Sequence, residues 1–170
     1  MQRSSTSKTK PITLRYLPKK LSKNDRSKQA AMLLKSRKLY KKGEYYTRKP
    51  VKSFKSKPSK HVAKAIKTYK IDKISPRALA KPTKCSKKSL EQSVKKGEGA
   101  YYSSGSRPNQ TAQSWGIARL ASAVTAGKAA AVDYAILKKG CKSNSPALKL
   151  ADKAKKKHNH GQRRVPKTRI

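Results

Sequence analysis

The sequence predicts a mainly helical protein: a small helical domain with short strands or extended segments, flanked by long basic arms. Three observations point there. Ser, Thr and Ser-Pro caps recur ahead of stretches whose apolar residues follow helical spacing. Hydrophobic residues make up only 34% of the chain, against roughly 45–50% in ordinary globular proteins, so the core must be small. Lys and Arg number 46 against 7 Asp and Glu, leaving a formal charge of +39 on 170 residues.

Residues 1–12 are polar and basic and contain no acid, which predicts an extended N-terminal arm. Ser22, with Asp25 three residues on, opens a helix whose stripe is Ala30, Leu33, Leu34 and Tyr40, and Gly43 supplies its stop. Residues 43–61 interleave Tyr45, Tyr46 and Phe54 with Arg48, Lys49, Lys52, Lys55, Lys57 and Lys60. Pro50 and Pro58 disfavour a long helix here, so the segment is expected to be extended, with room for a short strand. Its rings and cations form a candidate anion or partner contact. Two readings stand: a stacking platform for single-stranded nucleic acid, or apolar anchors pinning a basic strap to a partner or to the core.

Ser59 caps a short helix bearing Val62, Ala65, Ile66 and Tyr69; Ser75-Pro76 starts another. Ser86 opens a third short helix, with Leu90 and Val94, that Gly97 is expected to end. The run from Ala100 to Ser104 reads as a brief strand or extended segment. SGSRPNQT, residues 104–111, is turn chemistry, with Asn109 or Thr111 as cap of the next helix. Arg107 and the amides of that turn are a candidate anion nest, or simply a turn that positions the helix.

The core is expected at 97–141, within a domain spanning 13–141. No lysine falls between Lys96 and Lys128, and the stretch holds the single tryptophan. Trp115, Ile117, Leu120 and Val124 define one apolar face. A second helix, from about Lys128 to Lys139 with Val132 and Ile136, should pack on it as a hairpin. Arg119, in that least charged helix, is expected either to pair with Glu98 or Asp133 or to be solvated. Residues 142–170 form a basic region: a helix from Ser145-Pro146 with Leu148, Ala151 and Ala154, then a tail containing Arg163 and Arg164.

Charge is uneven. Residues 1–96 carry 31 basic and 4 acidic side chains, residues 97–127 carry 2 and 1, and residues 128–170 carry 13 and 2. Both flanks therefore suit an anionic partner: nucleic acid, a membrane face or an acidic protein wall. Lysine outnumbers arginine, which favours diffuse neutralisation over base reading. Cys85 and Cys141 show no CxxC spacing, so neither zinc nor a disulfide framework is expected, and the pair suits a reducing compartment. His61, His158 and His160 are the only histidines; they form no triad with the scattered acids, so no enzymatic activity, metal or cofactor is expected.

The blocks YYTRKPVKSFKSKPSKHV and GAYYSSGSRPNQTAQSWGIARLASAVTAGKAAAVDY resemble an uncharacterised domain family of nucleocytoplasmic large DNA viruses, including chlorella-virus and mimivirus relatives. The resemblance covers roughly residues 14–141. It carries no catalytic residue. It implies a virion protein, made in host cytoplasm or nucleus, and a minor capsid protein on the inner shell surface is the expectation. The expected partners are the major capsid protein and other minor capsid proteins, with inner-membrane headgroups or genomic DNA as further contacts and no small-molecule substrate. The alternative is a basic nucleic-acid-binding protein, genome-condensing or ribosomal-protein-like.

Overall fold

A computed structural model describes residues 11–161 and 166–169. Eight α-helices and one two-stranded sheet occur among them, the mainly helical architecture that the caps predict. Helices α1 (Lys23–Tyr40), α2 (Lys60–Tyr69), α3 (Pro76–Thr83) and α4 (Lys87–Ser103) start at Ser22, Ser59, Ser75 and Ser86, each accepting a backbone N–H three residues on. Thr111 opens α5 (Ala112–Ala123) with a reciprocal capping box to Ser114, and Ser145 opens α8 (Pro146–Lys157). These side chains satisfy amides that the first helical turn leaves without a partner.

Helix α4 departs from the sequence expectation by running through Gly97 and the AYYSS stretch to Ser103. The reason is packing. α4 makes its most extensive contact with α5, and the two backbones meet at Gly97 and Gly116: a Cβ on Gly97 would lie 2.6 Å from the Gly116 Cα. Glycine is required by the crossing, so its usual reading as a stop signal misleads here. Gly97→Ala is a test with an informative sign. Helix propensity alone favours alanine by about 1 kcal/mol, whereas overpacking against backbone costs about 1–3 kcal/mol. A net loss of up to about 2 kcal/mol in urea denaturation is the expected result; a gain would mean that the helices do not touch there.

The second half of the expected hairpin is broken. Asp133 (φ −94°, ψ 16°) separates α6 (Lys128–Val132) from α7 (Tyr134–Gly140). Asp133 takes the inward position, so Val132, expected in the core, is 43% exposed, while Ala130, Ala131 and Leu137 are buried. Leu120 and Val124 are buried as expected, and Ile117 and Ile136 are half-buried.

Three clusters form the core instead of one. The first joins α2, α3, α4 and α5 through Ala65, Tyr69, Leu79, Leu90, Leu120 and Val124. A second packs α8, through Leu148, Ala151 and Ala154, on Ala130, Ala131 and Leu137. The third lies at the N-terminal end, where Ile12, Tyr16, Leu17, Leu21, Leu33 and Val51 gather. Trp115 packs there rather than on residues 132–137, edge-on to Tyr16 at 6.0 Å with the Arg15 guanidinium 5.8 Å from its ring.

The described parts of the two basic flanks pair with each other. Strand β1 (Pro11–Thr13) pairs antiparallel with β2 (Lys167–Arg169), Ile12 opposite Thr168. Ile12 is wholly buried, an apolar anchor that brings both ends of the chain onto one domain. Arg163, Arg164 and residues 1–10 lie outside the described residues. Cys85 and Cys141, whose spacing suggests no disulfide framework, form a disulfide across a single antiparallel bridge: α3, α4 and α7 fold so that residues 56 apart meet. No described helix is long and apolar enough to cross a membrane.

Candidate interaction surface

Residues 44–58 cross the domain as an extended strap without a strand of their own. SGSRPNQT holds it down. Asn109, at positive φ (62°), accepts the Val51 N–H at 2.7 Å and donates to the carbonyls of Val51 at 3.1 Å and Phe54 at 2.6 Å. Phe54 is half-buried against the third cluster. Asp25 accepts the Ser53 N–H at 2.8 Å, securing the far end. Gly105 (φ 119°) has no space for a side chain, since a Cβ would lie 2.7 Å from Leu33 Cδ2.

The strap's principal anchor is Arg48, which is 6% exposed. Its guanidinium donates to the Tyr101 carbonyl at 2.8 Å, to Ser36 Oγ at 3.0 Å and to Ser106 Oγ at 2.8 Å, and lies 3.8 Å from the Tyr101 ring centroid. Its backbone N–H donates to the Tyr101 hydroxyl at 3.0 Å. None of these partners is a carboxylate. Burial pushes the Arg48 pKa below its ordinary value, and its compensation comes from the end of α4. There the last carbonyls lack helical partners and carry the negative end of the helix dipole. Arg48 takes the Tyr101 carbonyl, Ser36 Oγ donates to the Tyr102 carbonyl at 3.0 Å, and Arg37 donates to the Ser104 carbonyl at 3.1 Å. A cation shared between a helix C-terminus and a ring face is thereby held away from water.

Mounted on this frame is a tyrosine surface. Tyr101 is wholly buried and Tyr102 stands perpendicular to it at 5.0 Å. Tyr45, 71% exposed, lies 5.1 Å from Tyr102 and 6.1 Å from Tyr40, which is itself 37% exposed. Tyr46 turns elsewhere, under Lys35, whose ammonium is 4.5 Å from its ring. The three rings singled out in the strap are thus not one platform: Tyr45 faces out, Tyr46 is half-buried and Phe54 packs inward.

A family of unknown function (DUF5824) matches over residues 13–145. The chain belongs to that family. No curated protein and no solved structure matches it. The family's span takes in the strap, Arg48, SGSRPNQT and the Tyr40, Tyr45 and Tyr102 rings, so the frame and its surface are features of the family region, whereas α8 and β2 lie beyond it.

Other candidate contacts in the family region are dispersed. Lys49, Lys52 and Lys55 are exposed along the strap. Arg107 is exposed at the turn, whose Ser106, Asn109 and Thr111 side chains are engaged with Arg48, the strap and the α5 cap. His61 lies exposed at the start of α2, where local desolvation of its ring and the charges of Lys64 and Arg107 push its pKa below 6.5. Sequence reading missed Tyr40 and Tyr102 as members of the surface. Tyr40 was read as the end of the α1 stripe, which continues past the core at Leu33, Ser36 and Tyr40 and so projects a ring outward.

Arg119 pairs with Asp133, one of the two partners expected for it. Its Nε and Nη2 reach the two carboxylate oxygens at 2.9 and 2.7 Å, joined by Ser93 Oγ at 2.8 Å and Lys96 Nζ at 3.2 Å. Burial pushes the Asp133 pKa up, but Arg119, Ser93 and Lys96 outweigh it and hold it below 3.8. Because the folded value lies under the unfolded one, the contribution is complete above the unfolded pKa and is lost as pH falls through 3.8 and below. Asp133→Asn should therefore cost about 2 kcal/mol at neutral pH. It should also flatten the acid limb of stability measured by urea denaturation between pH 6 and pH 2. An unchanged acid limb would remove Asp133 as its source.

Proposed function

We propose that the protein is a non-enzymatic structural component of a large DNA virus particle, a minor capsid protein that cements the inner side of the shell by bridging acidic surfaces of the major capsid protein and its neighbours. One observation carries this reading: the chain cannot neutralise itself. Its 46 basic residues meet 7 acids, and of those acids Asp133 is buried with Arg119 and Lys96, Asp25 holds the strap, and Asp152 accepts the Tyr134 hydroxyl. Such self-repulsion is relieved by an extended polyanionic partner. Exposed lysines on flexible stems suit protein carboxylates or headgroups, and the viral resemblance of the Tyr45–Arg48 and Gly99–Leu120 blocks supplies the setting.

Particle fractionation tests it. Purified virions opened to release the genome should retain this protein in fixed ratio to the major capsid protein, and raising salt toward about 1 M, where the Debye length is near 3 Å, should strip it. Departure with the genome at low salt would overturn the reading in favour of a genome-condensing role.

A further inference from the structure

We infer that the surface formed by Tyr40, Tyr45 and Tyr102 binds single-stranded nucleic acid, stacking a base on the open face of Tyr45 while nearby lysines meet the phosphates. This goes beyond the shell role and does not depend on it.

The argument begins with Tyr45. A ring 71% exposed contributes little to folding, yet this one is placed with care. Its strap is fixed three residues on by Arg48, and its neighbour Tyr102 stands on Tyr101, the ring against which Arg48 lies. A desolvated cation, a helix C-terminus and a perpendicular ring pair thus combine to hold an aromatic group in solvent. Preorganised exposed rings are what base stacking uses, because every base offers a π-face and the ring loses little freedom on binding.

Charge then selects the occupant. Exposed Lys35, Lys38, Lys41, Lys42 and Lys49 bracket Tyr40 and Tyr45 in the chain, against Glu44 alone. An acidic protein wall would be satisfied by the lysines and would have no use for the rings. A lipid surface would draw on aliphatic or tryptophan side chains able to enter the acyl layer, and the exposed large hydrophobic residues of this patch are Tyr40 and Tyr45. A duplex presents phosphates but keeps its bases stacked inside. A single strand offers both phosphate and free base faces. With Arg37 and Arg48 engaged on the Ser104 and Tyr101 carbonyls and lysines left exposed, binding should show no strong sequence preference.

Fluorescence anisotropy on the full-length protein tests this, using a labelled 20-nucleotide oligo(dT) and a 20-base-pair duplex at 150 mM salt. Tyr45→Ala should weaken oligo(dT) binding about 5- to 150-fold and leave duplex binding within twofold; Tyr45→Phe should restore the wild-type affinity, since stacking needs the ring and not the hydroxyl. Adding Tyr102→Ala to Tyr45→Ala should weaken oligo(dT) binding further. Circular dichroism and the melting temperature, both expected unchanged for an exposed site, show that Tyr45→Ala folds. Equal losses on the two ligands, or none, would overturn the proposal. So would displacement of oligo(dT) from the wild type by poly-glutamate or phosphatidylserine vesicles with a Tyr45-dependent affinity, or a Tyr45-dependent dimer in sedimentation. These results are separable from particle fractionation, which reports where the protein sits in a shell.

Discussion

Reducing the Cys85–Cys141 disulfide should lower the unfolding free energy by about 4 kcal/mol, the loss calculated for opening a loop closed by residues 56 apart. In a chain of this length that corresponds to a fall of about 8–16 °C in melting temperature. The effect lies mainly in the unfolded chain, because the native contact is also held by backbone hydrogen bonds on both sides: Ser86 N–H to the Gly140 carbonyl at 2.8 Å and Lys142 N–H to the Lys84 carbonyl at 2.9 Å. Reduced protein should keep its circular dichroism spectrum and lose only its margin. Reductant has access, since Cys141 is half-buried and Cys85 lines a cleft together with Lys81, Lys84 and Lys142. Urea denaturation with and without a phosphine reductant measures the difference, and the Cys85→Ser, Cys141→Ser double variant should match the reduced wild type. A difference below about 1 kcal/mol would show that the unfolded chain is already compact around this loop.

Which features could be read in the sequence follows from how local their causes are. A helix cap is decided within four residues, and Ser22, Ser59, Ser75, Ser86, Thr111 and Ser145 all cap the helices expected of them. Gly97 looks like a stop signal because the reason for it, Gly116, lies on another helix. Cys85 and Cys141 look unrelated because the turns that join them are tertiary. Val132 lost its expected place to Asp133, whose inward turn depends on Arg119. Arg48 is the most instructive case. Among lysines it reads as one more cation, and only its being arginine, within the span of the family match, signals a site where a planar fork is needed.

Replacing that fork should be costly. Arg48→Met is expected to lose about 3 kcal/mol, and Arg48→Lys about 2 kcal/mol despite keeping the charge. The methionine removes a desolvated cation, which by itself is favourable. Against this, it strands the Tyr101 carbonyl inside the protein, at about 1–3 kcal/mol, removes a charge from the C-terminus of α4, worth up to about 2 kcal/mol in a partly buried site, and ends the contact with the Tyr101 ring. Ser36 and Ser106 soften the loss, since their hydroxyls also donate to the carbonyls of Tyr102 and Arg107. Lysine retains a cation but presents its donors from one point, whereas the Tyr101 carbonyl, Ser36 and Ser106 are met by two nitrogens of a plane lying against a ring. A purely electrostatic anchor would make Arg48→Lys nearly neutral, so the order of the two variants in urea denaturation separates charge from geometry. Both variants should also free the strap, and with it Tyr45: amide exchange at Thr47–Val51 should rise by more than at α2, which packs in a different cluster. An Arg48→Met protein as stable as the wild type would mean that burying this cation costs as much as its contacts return, and that Asn109, Asp25 and the packing of Val51 and Phe54 suffice to hold the strap.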